Sequence, residues 1–147
     1  MTDLALYLNL FKDQESCITF KPSSPEEIDR INEYLISKRF CPLPLEFIQF
    51  LKQTNGFIFN GIELFGSIPH YRAEKKYIFP DLEKVNSHYD TYMFFTKKVI
   101  LGRMSESILT YDSKDGFYSV VDRMKLRSRF ETKTFQELLK YLTKYIA

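Results

Sequence analysis

Leu4, Tyr7, Leu8 and Phe11 recur at helical spacing and predict a short helix at the start of the chain. Ile18 and Phe20 then predict a brief extended piece. A second helix has a legible start. Ser24 can cap it, Pro25 suits its first position and Glu27 stands three residues after Ser24. Ile28, Ile31 and Leu35 form its apolar stripe. Cys41-Pro42-Leu43-Pro44 interrupts, because neither proline can donate a backbone hydrogen bond. A third helix is predicted from about Pro44, with Phe47, Ile48, Phe50, Leu51 and Thr54 on one side. Asn55-Gly56 is expected to end it, since both residues tolerate the left-handed conformation of a helix cap.

Strands follow. Phe57-Ile58-Phe59 and Ile62-Glu63-Leu64 flank Asn60-Gly61, the favoured pair for a two-residue hairpin turn. In that register Phe59 faces Ile62 and Phe57 faces Leu64 on one side, and Ile58 pairs with Glu63 on the other. Between Ser67 and Lys98 a long excursion over the surface is expected, with a short helix between Pro80 and Tyr89 that aligns Leu82, Val85 and Tyr89. Val99-Ile100-Leu101 predicts a buried strand, and Gly102-Arg103-Met104-Ser105 reads as a turn after it. Ile108 to Tyr111 and Phe117 to Val121 predict a second hairpin, turned by Ser113-Lys114-Asp115-Gly116. Thr134 and Glu137 make a second capping box, for a closing helix that buries Phe135, Leu138, Leu139, Leu142 and Ile146. Lys140 and Lys144 complement its C-terminal end. Helices at both ends with antiparallel strands between predict an α+β fold, with a central sheet backed by N- and C-terminal helices.

Composition agrees with one globular domain over residues 1–147, since the chain has 44% hydrophobic and 27% charged residues and no internal repeat or linker. Phe and Tyr supply all of its 16% aromatic content, more than a core of this size needs, which points to contact surface. A net charge of +2 gives no long-range attraction to nucleic acid or anionic lipid. No stretch approaches a membrane span. Met1-Thr2-Asp3 lacks the basic and apolar regions of a secretory signal. Cys17 and Cys41 are too few for a disulfide framework and read as reduced, partly buried thiols of a cytoplasmic protein.

The sequence offers no constellation for catalysis. Cys17, Cys41, His70 and His88 show no metal-ligand spacing, and each histidine reads as a surface residue. Ser105 and Ser107 flank Glu106 without a nucleophile elbow. The glycines form neither a dinucleotide fingerprint nor a Walker loop. Asp112 and Asp115 are turn residues. Glu26, Glu27, Asp29 and Glu33 suit the start of the second helix. Arg123, Lys125, Arg127 and Arg129 alternate in a pattern that fits an exposed, solvated strand or loop, and edge strands carry such charges against aggregation. The expectation is therefore a non-enzymatic protein without cofactor or metal.

The segment from Leu43 to Gly56 (Leu-Pro-Leu-Glu-Phe-Ile-Gln-Phe-Leu-Lys-Gln-Thr-Asn-Gly) resembles the signature helix of the SUKH superfamily, which includes fungal cell-wall-synthesis regulators of Smi/Knr type. Phe59 to Gly66 resembles the strand pair of its bacterial YrhA-like branch. Thr134-Phe135-Gln136-Glu137-Leu138-Leu139 resembles its closing helix. Pro44, Phe47, Phe50, Leu51, Asn55, Gly56, Asn60, Gly61, Phe65 and Gly66 carry the likeness, and they are fold-making residues. The resemblance implies a SUKH-like α+β domain and, for a bacterial member, an immunity protein in the cytoplasm that binds and neutralises one cognate toxin, such as a nuclease or deaminase. The alternative it implies is an intracellular scaffold or regulator. Immunity proteins against nucleases often present strong acidity. This chain is slightly basic, so acidic mimicry needs a local patch around Glu26 to Glu33 or Asp81 to Asp90. The expected contact residues are Tyr71, Arg72, Tyr77, Tyr89, Tyr92, Tyr111 and Tyr118, because aromatic and Arg side chains dominate interface hot spots.

Overall fold

The computed structural model describes residues 3–146. In chain order they form α1 (Asp3–Lys12), β1 (Ile18–Thr19), α2 (Pro25–Ser37), α3 (Leu45–Leu51), β2 (Phe57–Phe59) and β3 (Ile62–Leu64). Next come β4 (His70–Arg72), β5 (Tyr77–Phe79), α4 (Leu82–Ser87), β6 (Lys98–Met104), β7 (Ser107–Asp112), β8 (Phe117–Asp122), β9 (Ser128–Thr132) and α5 (Phe135–Leu142). Seven strands make one antiparallel sheet in the order β1-β2-β3-β6-β7-β8-β9, and β4 with β5 makes a separate pair. The architecture is α+β.

The β2–β3 hairpin sets the faces of the sheet. Its register pairs Phe57 with Leu64, Ile58 with Glu63 and Phe59 with Ile62, as the Asn-Gly turn predicts. Asn60 and Gly61 both adopt positive φ. Phe57 and Phe59 meet Phe11 of α1 edge-on at ring-centroid distances of 5.1 and 5.6 Å. Phe50 of α3 meets Phe57 at 5.9 Å and Phe135 of α5 at 5.5 Å. So α1, α3 and α5 cover one face with a core of interlocked rings, while Ile58 and Glu63 point to the other.

Both predicted helix starts hold, in different degrees. At α2 the full reciprocal box forms: Glu27 N–H donates to Ser24 Oγ at 3.2 Å and Ser24 N–H to Glu27 Oε1 at 2.8 Å. At α5 only the Thr134 half of the box forms. The first N–H of α5, that of Phe135, donates instead to Glu46 Oε1 of α3 at 3.2 Å, and the Tyr118 hydroxyl reaches the same oxygen at 3.4 Å. One carboxylate thus ties α3, β8 and α5 together.

The expected cap at Asn55-Gly56 is placed differently. The helix α3 ends at Leu51, and its last turn closes through Gln53 and Thr54 N–H groups on the Phe50 carbonyl. Asn55 is buried and spends its side chain on the next layer, accepting from the Ser67 N–H at 2.7 Å. Gly66 lies so close to Asn55 that any Cβ there would collide with its backbone and side chain. The turn expected at Gly102 to Ser105 is also moved: β6 runs through Met104, and the chain reverses at Ser105-Glu106, with Ser105 in the left-handed region. Arg123, Lys125 and Arg127 lie in the β8–β9 connection. Arg129 stands on the edge strand β9 and pairs with Asp122.

The excursion from Ser67 to Lys98 is ordered into β4, β5 and α4, and one side chain anchors it. β6 is longer than its neighbour β3, so the edge of β6 beyond Phe65 has no strand beside it. Asn86 of α4 fills the gap. Its Oδ1 accepts from the Ile100 N–H at 2.8 Å, and its Nδ2 donates to the Ile100 carbonyl at 3.0 Å and to the Leu82 carbonyl at 2.8 Å. A side-chain amide so takes the place of a strand's peptide group in a fully buried setting. Asn86→Leu leaves a buried donor and acceptor of Ile100 without partners and is expected to cost about 3 kcal/mol in urea unfolding, against less than about 0.5 for Ser87→Ala. A loss below about 1 kcal/mol for Asn86→Leu would show that the edge is satisfied in some other way.

Candidate functional site

The β4–β5 pair is amphipathic by register. His70 faces Phe79, Tyr71 faces Ile78 and Arg72 faces Tyr77. Phe79 is buried against Phe65 and Phe20, and His70 stacks on Phe20 at 3.9 Å between centroids. His70 Nε2–H donates to the Asn55 carbonyl at 2.9 Å, so this histidine is a packed structural residue and not the surface residue expected. The opposite side of the pair presents Tyr71 and Ile78, at 66% and 60% exposure, as cross-strand neighbours with nothing over them.

Arg103 joins this pair to the far face of the sheet. It is the cross-strand partner of Glu63 and forms an ion pair with that carboxylate. Its Nη2 donates to the Tyr77 hydroxyl at 3.3 Å, and its guanidinium lies 5.2 Å from the Phe65 ring centroid. Partial burial and the Glu63 charge both push the Tyr77 hydroxyl above its ordinary pKa, so it stays protonated. A small cleft opens beside Arg103, lined by Val85, His88, Tyr89, Ile100, Ile108 and Arg123. Tyr89 packs edge-on against Tyr92 at 5.3 Å, and Tyr92 and Met93 are exposed.

Of the expected contact residues, Tyr71 lies on the outer side of the hairpin, whereas Arg72 and Tyr77 alternate to the side that carries His70 and Phe79. Tyr71, Arg72 and Tyr77 sit on the hairpin, and Tyr89 and Tyr92 follow α4, with Arg103 between the groups. Arg72 is half-buried and held by Glu74 at 2.8 Å. The other two lie elsewhere. Tyr118 is 1% exposed and packs on Phe135 at 5.7 Å, which removes it from the contact set. Burial, followed by the Glu46 charge, raises its pKa. Tyr111 packs on Tyr118 at 4.8 Å, on the side that α3 and α5 cover. Alternation in the sequence placed Tyr118 on a strand without saying which face is covered. Ile78, Glu63 and Arg103 went unrecognised, because their juxtaposition depends on the β3–β6 pairing and on how β5 ends.

An open groove of about 590 Å³ continues the outer side of the hairpin, lined by Pro69, Ile78 and Pro80 on one side and Asp81, Glu83, Lys84 and Ser87 on the other. The helices α2 and α4 pack together. Tyr34 of α2 has its pKa raised chiefly by burial and then by the charges of Glu83, Asp90 and Asp81. The acidic stretch from Asp81 to Asp90 thus lies beside the end of α2 at Tyr34.

Among the described residues, no group of three His, Cys, Asp or Glu side chains gathers to hold a metal ion. Among the described residues, no helix is long and apolar enough to cross a membrane. The chain matches no known protein-family model, and no curated protein matches it.

Both thiols are free and suppressed. Burial pushes Cys17 up to about 11 and Cys41 up to about 12, with Lys12 pulling Cys17 only slightly back. A raised pKa lowers the thiolate fraction at any pH below it, and thiolate is the reactive form. At pH 8 iodoacetamide is expected to alkylate Cys17 about 100-fold and Cys41 about 1000-fold more slowly than an unperturbed cysteine. Both rates should reach the ordinary value in denaturant. Fast labelling of either in the native protein would show an activated thiol.

Proposed function

We propose that this protein works by binding another protein through the face built from β4, β5 and the end of α4. We also propose that the fold is SUKH-like and that the partner is a toxin, held inactive in a stoichiometric complex in the cytoplasm. One observation carries the binding reading: Tyr71 and Ile78 stand as an exposed cross-strand pair on the outer side of the hairpin. Tyr and Arg are among the side chains that contribute most at protein contacts. The SUKH-like reading draws its support from the antiparallel sheet backed by helices, and from α3 followed directly by the Asn-Gly hairpin. The toxin as partner rests on the resemblance of those segments.

Expression of the chain together with the toxin domain encoded beside its gene tests the proposal. Cell survival and a complex of fixed stoichiometry are expected. The double variant Tyr71→Ala, Ile78→Ala removes only exposed side chains and is expected to weaken the complex at least tenfold, on the order of 2 kcal/mol, with unchanged thermal stability. No rescue by the wild-type chain would overturn the toxin reading and favour a scaffold with endogenous partners. Full affinity of the double variant would move the contact surface elsewhere.

A further inference from the structure

The cleft beside Arg103 is chemically unlike the rest of the interaction face. It encloses about 70 Å³, roughly the room of a short carboxylate side chain, and is far smaller than the groove lined by Ile78 and Pro80. Val85, Ile100 and Ile108 give it an apolar floor, and Tyr89 gives it a wall. Arg103, Arg123 and His88 bring nitrogen donors to it. Arg103 is fixed in place, since Glu63 takes its Nε and Tyr77 takes its Nη2. Glu63 offsets the charge of Arg103. Arg123 has no such counter-charge: among the described residues its guanidinium has no hydrogen-bond or ion-pair partner. Its backbone N–H is held by the Glu106 carbonyl at 2.8 Å, which fixes the base of the side chain at the cleft. The site therefore has one pre-oriented guanidinium, one unpaired guanidinium and an imidazole beside apolar side chains.

We propose that this cleft is a binding site for a compact oxyanion carried on a short apolar stem, either a carboxylate side chain or a phosphate group. Guanidinium groups match the two oxygens of such an anion with parallel N–H donors. The floor of Val85, Ile100 and Ile108 takes the methylene stem out of water. The site is a property of the free protein, so it stands or falls separately from the toxin reading above.

Amide-resolved NMR titration of the isolated chain with propionate and, separately, with inorganic phosphate tests it, at constant pH and ionic strength. Saturable shifts centred on Val85, Tyr89, Arg103 and Arg123 are expected for at least one anion. Tighter binding of propionate identifies an acidic side chain as the natural occupant, and tighter binding of phosphate identifies a phosphorylated group. Arg123→Gln changes an exposed turn residue and is expected to weaken the anion about tenfold, whereas Lys114→Gln, in a separate lysine-rich cleft, leaves it unchanged. The proposal is overturned if shifts fail to saturate, if they centre on Lys97, Lys98 and Lys114, or if Arg123→Gln binds as tightly as wild type.

Discussion

The free edge of β6 is the constraint on which the rest of the fold depends. β3 is three residues long and β6 is seven, so a stretch of β6 must find hydrogen-bond partners outside the sheet. A buried peptide group without a partner is costly, and a second strand is one of the few structures able to repay it. Here Asn86 supplies an amide in place of that strand. The substitution fixes where α4 lies. It also fixes the exit of β5, because the Leu82 N–H is bonded to the Gly66 carbonyl at 2.9 Å, and the position of the cleft between α4 and Arg103. The route of the chain between β3 and β6 follows from one residue that is neither apolar nor charged.

What was legible in the sequence had local causes. Asn60-Gly61 sets a turn, the turn sets a register, and the register assigns Phe57 and Phe59 to the core, all within eight residues. Ser24 and Glu27 likewise satisfy each other within one helical turn. The features that escaped prediction are those where a residue with a familiar local role serves a distant one. Asn55 has the chemistry of a helix cap, yet it is bonded to Ser67. The first N–H of α5 is satisfied by Glu46, eighty-nine positions earlier. β9 carries few apolar residues, and its strand form comes from pairing with β8, which no alternation within Ser128–Thr132 announces.

The exposed Tyr-rich surface shows the same division. Aromatic excess directs attention to the Tyr-rich excursion. It cannot separate Tyr71, which points outward, from Tyr118, whose ring fills space between β8 and α5. That separation needs the sidedness of each strand relative to the helices. Glu63 and Arg103 lie forty residues apart in sequence and become neighbours only through the β3–β6 register. The cleft beside Arg103 inherits this dependence, since Ile100, Arg103 and Ile108 come from the sheet, Val85, His88 and Tyr89 from α4 and the residues just after it, and Arg123 from the β8–β9 connection.

The whole outward-facing set from Tyr71 to Met93 is carried by one uninterrupted length of chain that leaves the sheet after β3 and returns at β6. Its ends are clamped by the Gly66 and Asn86 bonds, and between those clamps it contributes no strand to the main sheet. The segment is therefore a cassette: its outer residues can change while the seven-stranded framework and its two fastening points remain the same.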